Sequence, residues 1–181
     1  MKNLRITSMI LMVFCACVAG CKGQPSSSET QSEKLSPEQA IAARQAIVAW
    51  LECEECTSGE LEAVVKLGST AVPSLAATLR SGPPPSSREI QREHLVQTYR
   101  GMEAYAKTHP RESGIKMSEE EYVRLYSENY VALYQIRAAR ALGSIGGEQS
   151  RNSLTDALNT SLREDVRTSV KETLQKMNSP R

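Results

Sequence analysis

Apolar residues at helical spacing recur in the last part of this 181-residue chain, and they constrain its fold more than any other feature. Each set lies at positions i, i+4, i+7, i+8 and i+11, which is the stripe of a helix buried on one side. Arg167 follows Arg137 at an interval of thirty residues and occupies the matching place. The sets are Tyr134, Ala138, Ala141, Leu142 and Ile145, then Val166, Val170, Thr173, Leu174 and Met177, and a helix between them is predicted from Leu154, Ala157, Leu158 and Leu162.

A fainter copy of the same order lies upstream, over residues 61–79. An apolar helix is broken at Gly68, and a second helix starts at Pro73. These segments resemble the HEAT repeat family, and particularly its short bacterial form, the phycobilisome-lyase HEAT-like repeat. The resemblance implies a short α-solenoid, because one helix pair cannot bury its apolar faces without stacked neighbours. It also implies a structural role for Arg137 and Arg167, whose position in the family often bonds to neighbouring backbone or acidic groups.

Composition supports an all-α fold. Aromatic residues make up only 4% of the chain, so alanine and aliphatic residues must fill a core, and no persuasive strand alternation is present. The net charge is +1, and removal of Lys2 and Arg5 with residues 1–20 would leave 20 basic and 21 acidic side chains, or −1. This balance predicts no nucleic-acid partner.

The N-terminus has the pattern of a targeting segment. A basic start is followed by the apolar stretch 6–18, which is too short to cross about 30 Å of hydrocarbon as a helix. We interpret residues 1–20 as a signal peptide. Val18-Ala19-Gly20-Cys21 resembles the bacterial lipoprotein box, which implies acylation of Cys21 and anchoring in the cell envelope. Lys22, in place of an aspartate, favours the outer membrane by the same resemblance.

Residues 21–35 are polar, with almost nothing to bury, and are predicted to be a disordered tether. A helical domain over 36–178 follows, and it opens with an N-cap serine at Ser36 and proline at the first helical position. Residues 86–133 interrupt the repeat and predict a helical hairpin. The expected buried side of the first helix is Ala40, Ala43, Ile47, Trp50 and Leu51; the further expected capping pairs are Thr57 with Glu60, Ser86 with Glu89, and Ser118 with Glu121.

Cys53 and Cys56 lie between the first two helices. Their spacing fits a zinc site, a redox pair or a disulfide. The fourth interpretation is two unpaired thiols without a function. Zinc needs four ligands and no second cysteine pair exists, and the redox motif needs a βαβ context that the sequence lacks. An exported domain favours the disulfide.

All six tyrosines lie in or at the edge of the predicted hairpin, and four are spaced four residues apart from Tyr122 to Tyr134. Two interpretations remain open. The rings either pack the hairpin onto the rest of the domain, or Tyr122, Tyr126 and Tyr130 form a contact face for a partner. Asn129 and Glu128 flank Tyr130, which makes Tyr130 the expected surface residue, whereas Leu125 favours packing of Tyr126.

The sequence contains no nucleophile elbow, phosphate-binding glycine loop or metal-binding histidine pair, so we predict no catalytic residue, no metal and no cofactor. The preferred function is a lipid-anchored, non-catalytic module that binds another envelope protein. The alternative, suggested by the lyase resemblance, is an enzyme or a carrier of a ligand or chromophore, with a pocket near Cys53, Cys56 and the tyrosines. The sequence does not indicate an oligomeric state.

Overall fold

The computed structural model describes residues 36–109 and 116–179. The predicted signal peptide, Cys21, the tether and positions 110–115 of the predicted loop lie outside the described residues. The described part is all-helical, as the sequence predicts. Its seven α-helices are α1 (Pro37–Glu52), α2 (Ser58–Lys66), α3 (Val72–Ser81), α4 (Pro85–Thr108), α5 (Glu119–Ile145), α6 (Gly147–Leu158) and α7 (Glu164–Asn178), with a 3₁₀ turn at Gly68–Ala71.

Helix α5 is the element around which the domain packs. It contacts each of the other six helices, and the chain winds around it from α1 to α7. The predicted insertion helix and the first repeat helix are therefore one continuous helix of 27 residues. Alanines make the close approach possible, since Ala138, Ala139 and Ala141 are fully buried where α5 is surrounded.

The helices outside the hairpin pack in a regular order. α1 contacts α2, α3 contacts α5, and α6 contacts α7; α5 also packs between α2 and α7, and α3 packs on α6. Stacked helix pairs make contacts in this order. The assignment to a HEAT-like solenoid stays a prediction.

Helix α1 begins where the sequence predicts it. Ser36 accepts a hydrogen bond from the backbone N–H of Gln39, whose side chain accepts one from the N–H of Ser36. Trp50 is a core residue with 2% of its surface exposed. Ala40 is exposed, contrary to the expected buried side, because only the stretch from Ala43 onward faces the core.

The expected cap of α4 is wrong. Ser86 and Glu89 do not cap it; the N-cap is Pro84 and the helix begins at Pro85, two residues earlier than a cap at Ser86 implies. Pro85 lies in the first turn, where its missing N–H costs nothing. Gly82 ends α3 with φ 70°, and a Cβ at this position would lie 2.7 Å from Cγ1 of Val131 on α5.

The caps of α2 and α5 are confirmed, with Thr57 paired to Glu60 and Ser118 to Glu121. The predicted α6 stripe is correct for Leu154 and Ala157, which are buried. Leu162 lies beyond the end of α6, in the connection to α7. No helix of the described residues is long and apolar enough to cross a membrane.

Candidate functional site: two grooves beside the end of helix α1

The C-terminal end of α1 is held by Arg137 of α5. The Arg137 guanidinium donates to the carbonyl oxygens of Leu51 and Cys53, each at 2.7 Å. In return, Trp50 Nε1 donates to the carbonyl oxygen of Arg137 at 3.0 Å. A helix leaves its last carbonyls without internal partners, and a cation there also interacts favourably with the helix dipole. Burial lowers the pKa of Arg137.

Arg167 holds the end of α6 in the same way. Its guanidinium donates to the carbonyl oxygens of Leu158 and Thr160, at 2.9 and 3.0 Å. In both cases the two acceptors are two residues apart at a helix end, and the arginine belongs to a helix packed alongside. The matched positions of Arg137 and Arg167 in the sequence therefore correspond to matched contacts in the structure.

The loop after α1 contains the two domain cysteines. Cys53 and Cys56 are joined as a disulfide in the structure. Cys53 is half-buried against the core, and Cys56 is exposed. The Arg137 bond to the Cys53 carbonyl therefore ties this loop, as well as the end of α1, to α5. The oxidation state in the cell stays a prediction.

A chain of polar contacts leads from this loop along α5. The Tyr134 hydroxyl donates to Glu52 Oε1 at 2.7 Å and lies 3.0 Å from the Tyr130 hydroxyl. Burial raises the pKa of Tyr134, and its hydrogen bonds to Tyr130 and Glu52 raise it further. The Tyr130 ring meets the Tyr134 ring edge-on, with centroids 4.9 Å apart. Tyr130 thus belongs to the margin of the core.

The structure reverses the expected order of Tyr126 and Tyr130. Tyr130 is half-buried and packs on the core, whereas 43% of Tyr126 is exposed. Tyr122 is half-buried between Tyr99 of α4 and Tyr126, with ring centroids 5.5 and 4.4 Å away. Tyr99 also donates to the carbonyl oxygen of Met117 at 2.9 Å. The three candidate tyrosines therefore divide between packing, at Tyr122 and Tyr130, and exposure, at Tyr126.

The first groove, here called the tyrosine groove, has a volume of about 720 Å³ and lies between the end of α1, α4 and α5. Tyr130, Tyr134 and Cys53 line it, together with two aliphatic residues that were not predicted as site residues. These are Ile90 of α4 and Leu133 of α5, which are 68% and 41% exposed. The structure therefore brings Cys53 and Tyr130 together, while Tyr122, Tyr126 and Cys56 do not line this groove.

The second groove, here called the basic groove, lies across α5, α6 and α7 and has a volume of about 880 Å³. Leu133 and Arg137 line both grooves, so the two are neighbours. Arg140, Arg151 and Lys176 line the basic groove along with Arg137, and Glu172 is the one carboxylate that lines it within 36–109 and 116–179. The net charge of the whole chain does not reveal this cluster, because the packing of three helices brings its cations together.

No group of three or more histidine, cysteine, aspartate or glutamate side chains among the described residues could hold a metal ion. Comparison of the chain with protein-family models, with curated proteins and with solved structures found no match. The resemblance to HEAT-like repeats therefore rests on the residues quoted above.

Proposed function

We propose that the protein is a lipid-anchored interaction module of the bacterial cell envelope, attached through Cys21, whose helical domain binds another envelope protein through the tyrosine groove. The anchor rests on the lipoprotein-box pattern at Val18–Cys21. The binding role rests on the groove's composition, in which aliphatic side chains and two tyrosines lie beside a similar number of polar and charged side chains.

The exposure of Ile90 is the observation that carries this proposal. Two thirds of this isoleucine lies open to solvent at the edge of a groove whose other wall holds Leu133 and Tyr130. Burying apolar surface contributes roughly 25 cal/mol per Å², so a partner that covers Ile90 and Leu133 gains binding free energy from both. Tyr130 is held in place by its contact with Tyr134, and little side-chain entropy is lost when it is covered.

A photo-crosslinking amino acid at Ile90 in intact cells tests the binding face. Ile41 is the matched control, since it is also an exposed isoleucine, at 59%, but belongs to α1 and lines neither groove. We expect one discrete adduct from position 90, weakened by Leu133→Glu, and none from position 41. Equal adducts from both positions, or an adduct from position 90 unaffected by Leu133→Glu, would contradict the proposed face.

The anchor is tested separately. Cys21→Ala should move the protein from the membrane fraction to the soluble fraction, and intact mass of the unsubstituted protein should show a mature N-terminus at Cys21 with added acyl chains. A Cys21→Ala protein that stays with the membrane would contradict lipid anchoring without bearing on the groove.

A ligand or chromophore carrier is the second proposal, because one groove of about 720 Å³ holds Cys53 and Tyr130 together. In the disulfide both sulfurs are occupied, so attachment through sulfur would first require reduction. Absorption spectra and native mass of protein purified from its own envelope test this role. A coloured protein, or one with a fixed added mass that reduction and alkylation prevent, would favour the carrier over the interaction module.

A further inference from the structure

The basic groove has an excess of positive charge that the chain as a whole lacks. Among the described residues, four cationic side chains and one carboxylate line it, although the complete sequence has a formal net charge of only +1. Arg137, Arg140, Arg151 and Lys176 come from the three consecutive helices α5, α6 and α7, and the packing of these helices gathers them in one groove. Grooves lined by one sign of charge concentrate field lines and attract ligands of the opposite sign.

Two of these cations are available to a ligand, and two are already engaged. Arg137 donates to Leu51 and Cys53, and Arg151 donates to Asn178 and to the carbonyl oxygen of Met177. Arg140 and Lys176 are exposed, and within 36–109 and 116–179 their side chains have no hydrogen-bond or ion-pair partner. The engaged pair gives a fixed positive field, and the other pair gives free donors.

The groove also has an apolar part. Leu133, Ile136 and Met177 line it beside the cations, and Leu133 is 41% exposed. A ligand that carries only charge would leave this surface uncovered. A matching ligand would present carboxylates to Arg140 and Lys176 and aliphatic side chains to Leu133 and Met177.

We infer that the basic groove binds an acidic, leucine-containing peptide segment of a partner protein, with carboxylates on Arg140 and Lys176 and apolar side chains on Leu133, Ile136 and Met177. Arginine and lysine form charge-assisted hydrogen bonds with carboxylates, and the field of Arg137 and Arg151 favours the same sign of charge. The site does not depend on Cys21 or on the envelope location. It shares Leu133 and Arg137 with the tyrosine groove, whereas Arg140 and Lys176 line the basic groove alone.

A peptide fits the groove better than an anionic membrane surface does. Arg137, Arg151 and Ile136 are only partly exposed, whereas Arg140 and Lys176 are exposed, so a flat bilayer would reach the second pair more readily than the first three. A peptide side chain can enter the groove, and interfaces of this type bury apolar anchors inside a polar rim. The partial burial of Arg137 is thus the feature that favours a peptide over a membrane surface.

The test measures binding of a short fluorescein-labelled peptide of glutamate and leucine to the full-length protein in detergent, by fluorescence anisotropy. A matched peptide has glutamine in place of every glutamate. The variant Arg140→Glu/Lys176→Glu reverses both free cations of the groove. The control variant Arg44→Glu/Lys171→Glu makes the same change in net charge at two exposed positions outside both grooves. Circular dichroism melts check that both variants fold.

We expect the groove variant to bind the acidic peptide at least about tenfold more weakly than the unsubstituted protein, and the control variant to bind it within about twofold. The glutamine peptide should bind weakly to all three proteins. Binding of the acidic peptide should weaken by about tenfold as salt rises from about 0.05 to 0.5 M, because the Debye length falls well below 10 Å.

Four results would overturn the inference. The first is equal loss of binding in the groove and control variants, which would show only general charge attraction. The second is equal binding of the acidic and glutamine peptides. The third is salt-sensitive binding to phosphatidylglycerol vesicles that requires Arg140 and Lys176 while the peptide does not bind, which would assign the cations to a membrane. The fourth is dimerisation that Arg140→Glu/Lys176→Glu abolishes, seen by light scattering, which would assign the groove to a second copy of this chain.

Discussion

The two halves of α5 have nearly opposite surroundings. In 134–145 six side chains are buried, among them three alanines and Leu142, whereas in 119–133 only Val123 and Ala132 are buried. The C-terminal half touches α1 through Tyr134 and Arg137, α3 through Gln135, and α7 through Gly143. The N-terminal half packs on α4, where Tyr122 contacts Tyr99 and Glu119 pairs with Arg100.

The comparison shows how one helix supplies both a core and a surface. Small side chains in the C-terminal half let several helices approach α5 at once. The side chains of this half that stay open, such as Arg140, line the basic groove. In the N-terminal half, part of the apolar area of larger side chains stays uncovered, as at Leu125, Tyr126 and Leu133. The boundary between the halves is where both grooves meet, at Leu133 and Arg137.

The largest expected difference is between two tyrosines eight residues apart on α5. Tyr134→Ala should lower the free energy of unfolding by about 3–5 kcal/mol, because it removes a buried ring and leaves Glu52 without its hydroxyl partner. Tyr126→Ala should cost no more than about 1 kcal/mol, since much of its ring is exposed. Urea unfolding of both variants measures the difference, and equal losses would show that the two halves are packed alike.

The next effect concerns the arginines that hold helix ends. Arg137→Met should cost about 2–4 kcal/mol, because it keeps the apolar stem and removes two charge-assisted bonds to carbonyl groups. Arg167→Met, the matched change near the end of the domain, should cost less, about 1–2 kcal/mol, since its bond to Thr160 is exposed. Urea unfolding measures both costs. A larger cost at Arg167 would show that the contact between α6 and α7 stabilises the domain more than the contact between α1 and α5.

Local sequence signals were sufficient to predict much of the fold. The caps at Ser36, Thr57 and Ser118 are correct, since a capping box needs only residues three apart. Ser86 has the same spacing to Glu89 but does not cap α4, because Pro84 and Pro85 set the helix start two residues earlier. Ala40 has the expected spacing but lies beyond the reach of the core, which no local pattern shows.

The two grooves could not be predicted from the sequence, for a different reason. The tyrosine stripe drifts by about 40° with each step of four residues, so the position of α4 decides which ring is covered. Tyr130 meets Tyr134 and the core, and Tyr126 does not, a difference that flanking residues did not reveal. The basic groove likewise depends on how α5, α6 and α7 pack, although each of its cations is visible in the sequence.

The disulfide tests how firmly the loop after α1 depends on α5. Cys53→Ser/Cys56→Ser should cost at most about 2 kcal/mol, because the closed loop is very short and Arg137 still holds the Cys53 carbonyl. Thermal melts with and without reductant measure this cost. Intact mass before and after alkylation shows whether the pair is oxidised, and two free thiols at Cys53 and Cys56 in protein extracted from cells would contradict the pairing.

Gly143 tests how tightly the C-terminal half is packed. Gly143→Ala should cost about 1–2 kcal/mol, although alanine is the better helix former, because the new Cβ would overlap with Cγ2 of Thr173 on α7. Thr173→Ser removes that methyl group and can keep the hydroxyl bond to Ser169. In a double-mutant cycle, Gly143→Ala should become neutral or stabilising in the Thr173→Ser background. The same loss in both backgrounds would show that the clash is not the cause.

The smallest expected loss of stability is at the N-terminal cap of α5, and this change should show whether the two halves of the helix open separately. Ser118→Ala removes the side-chain oxygen that accepts from the Glu121 backbone at 3.2 Å, a loss typically worth about 1 kcal/mol. If the N-terminal half opens without the core, hydrogen exchange should speed up over 119–133 and remain unchanged over 134–145. The backbone N–H of Ser118 and then its hydroxyl lower the pKa of Glu121, so the cap should be present at neutral pH and be lost as pH falls through that lowered pKa. Faster exchange over both halves would mean that α5 opens as one unit, and the division of the helix into a core and a surface would then describe its packing but not its stability.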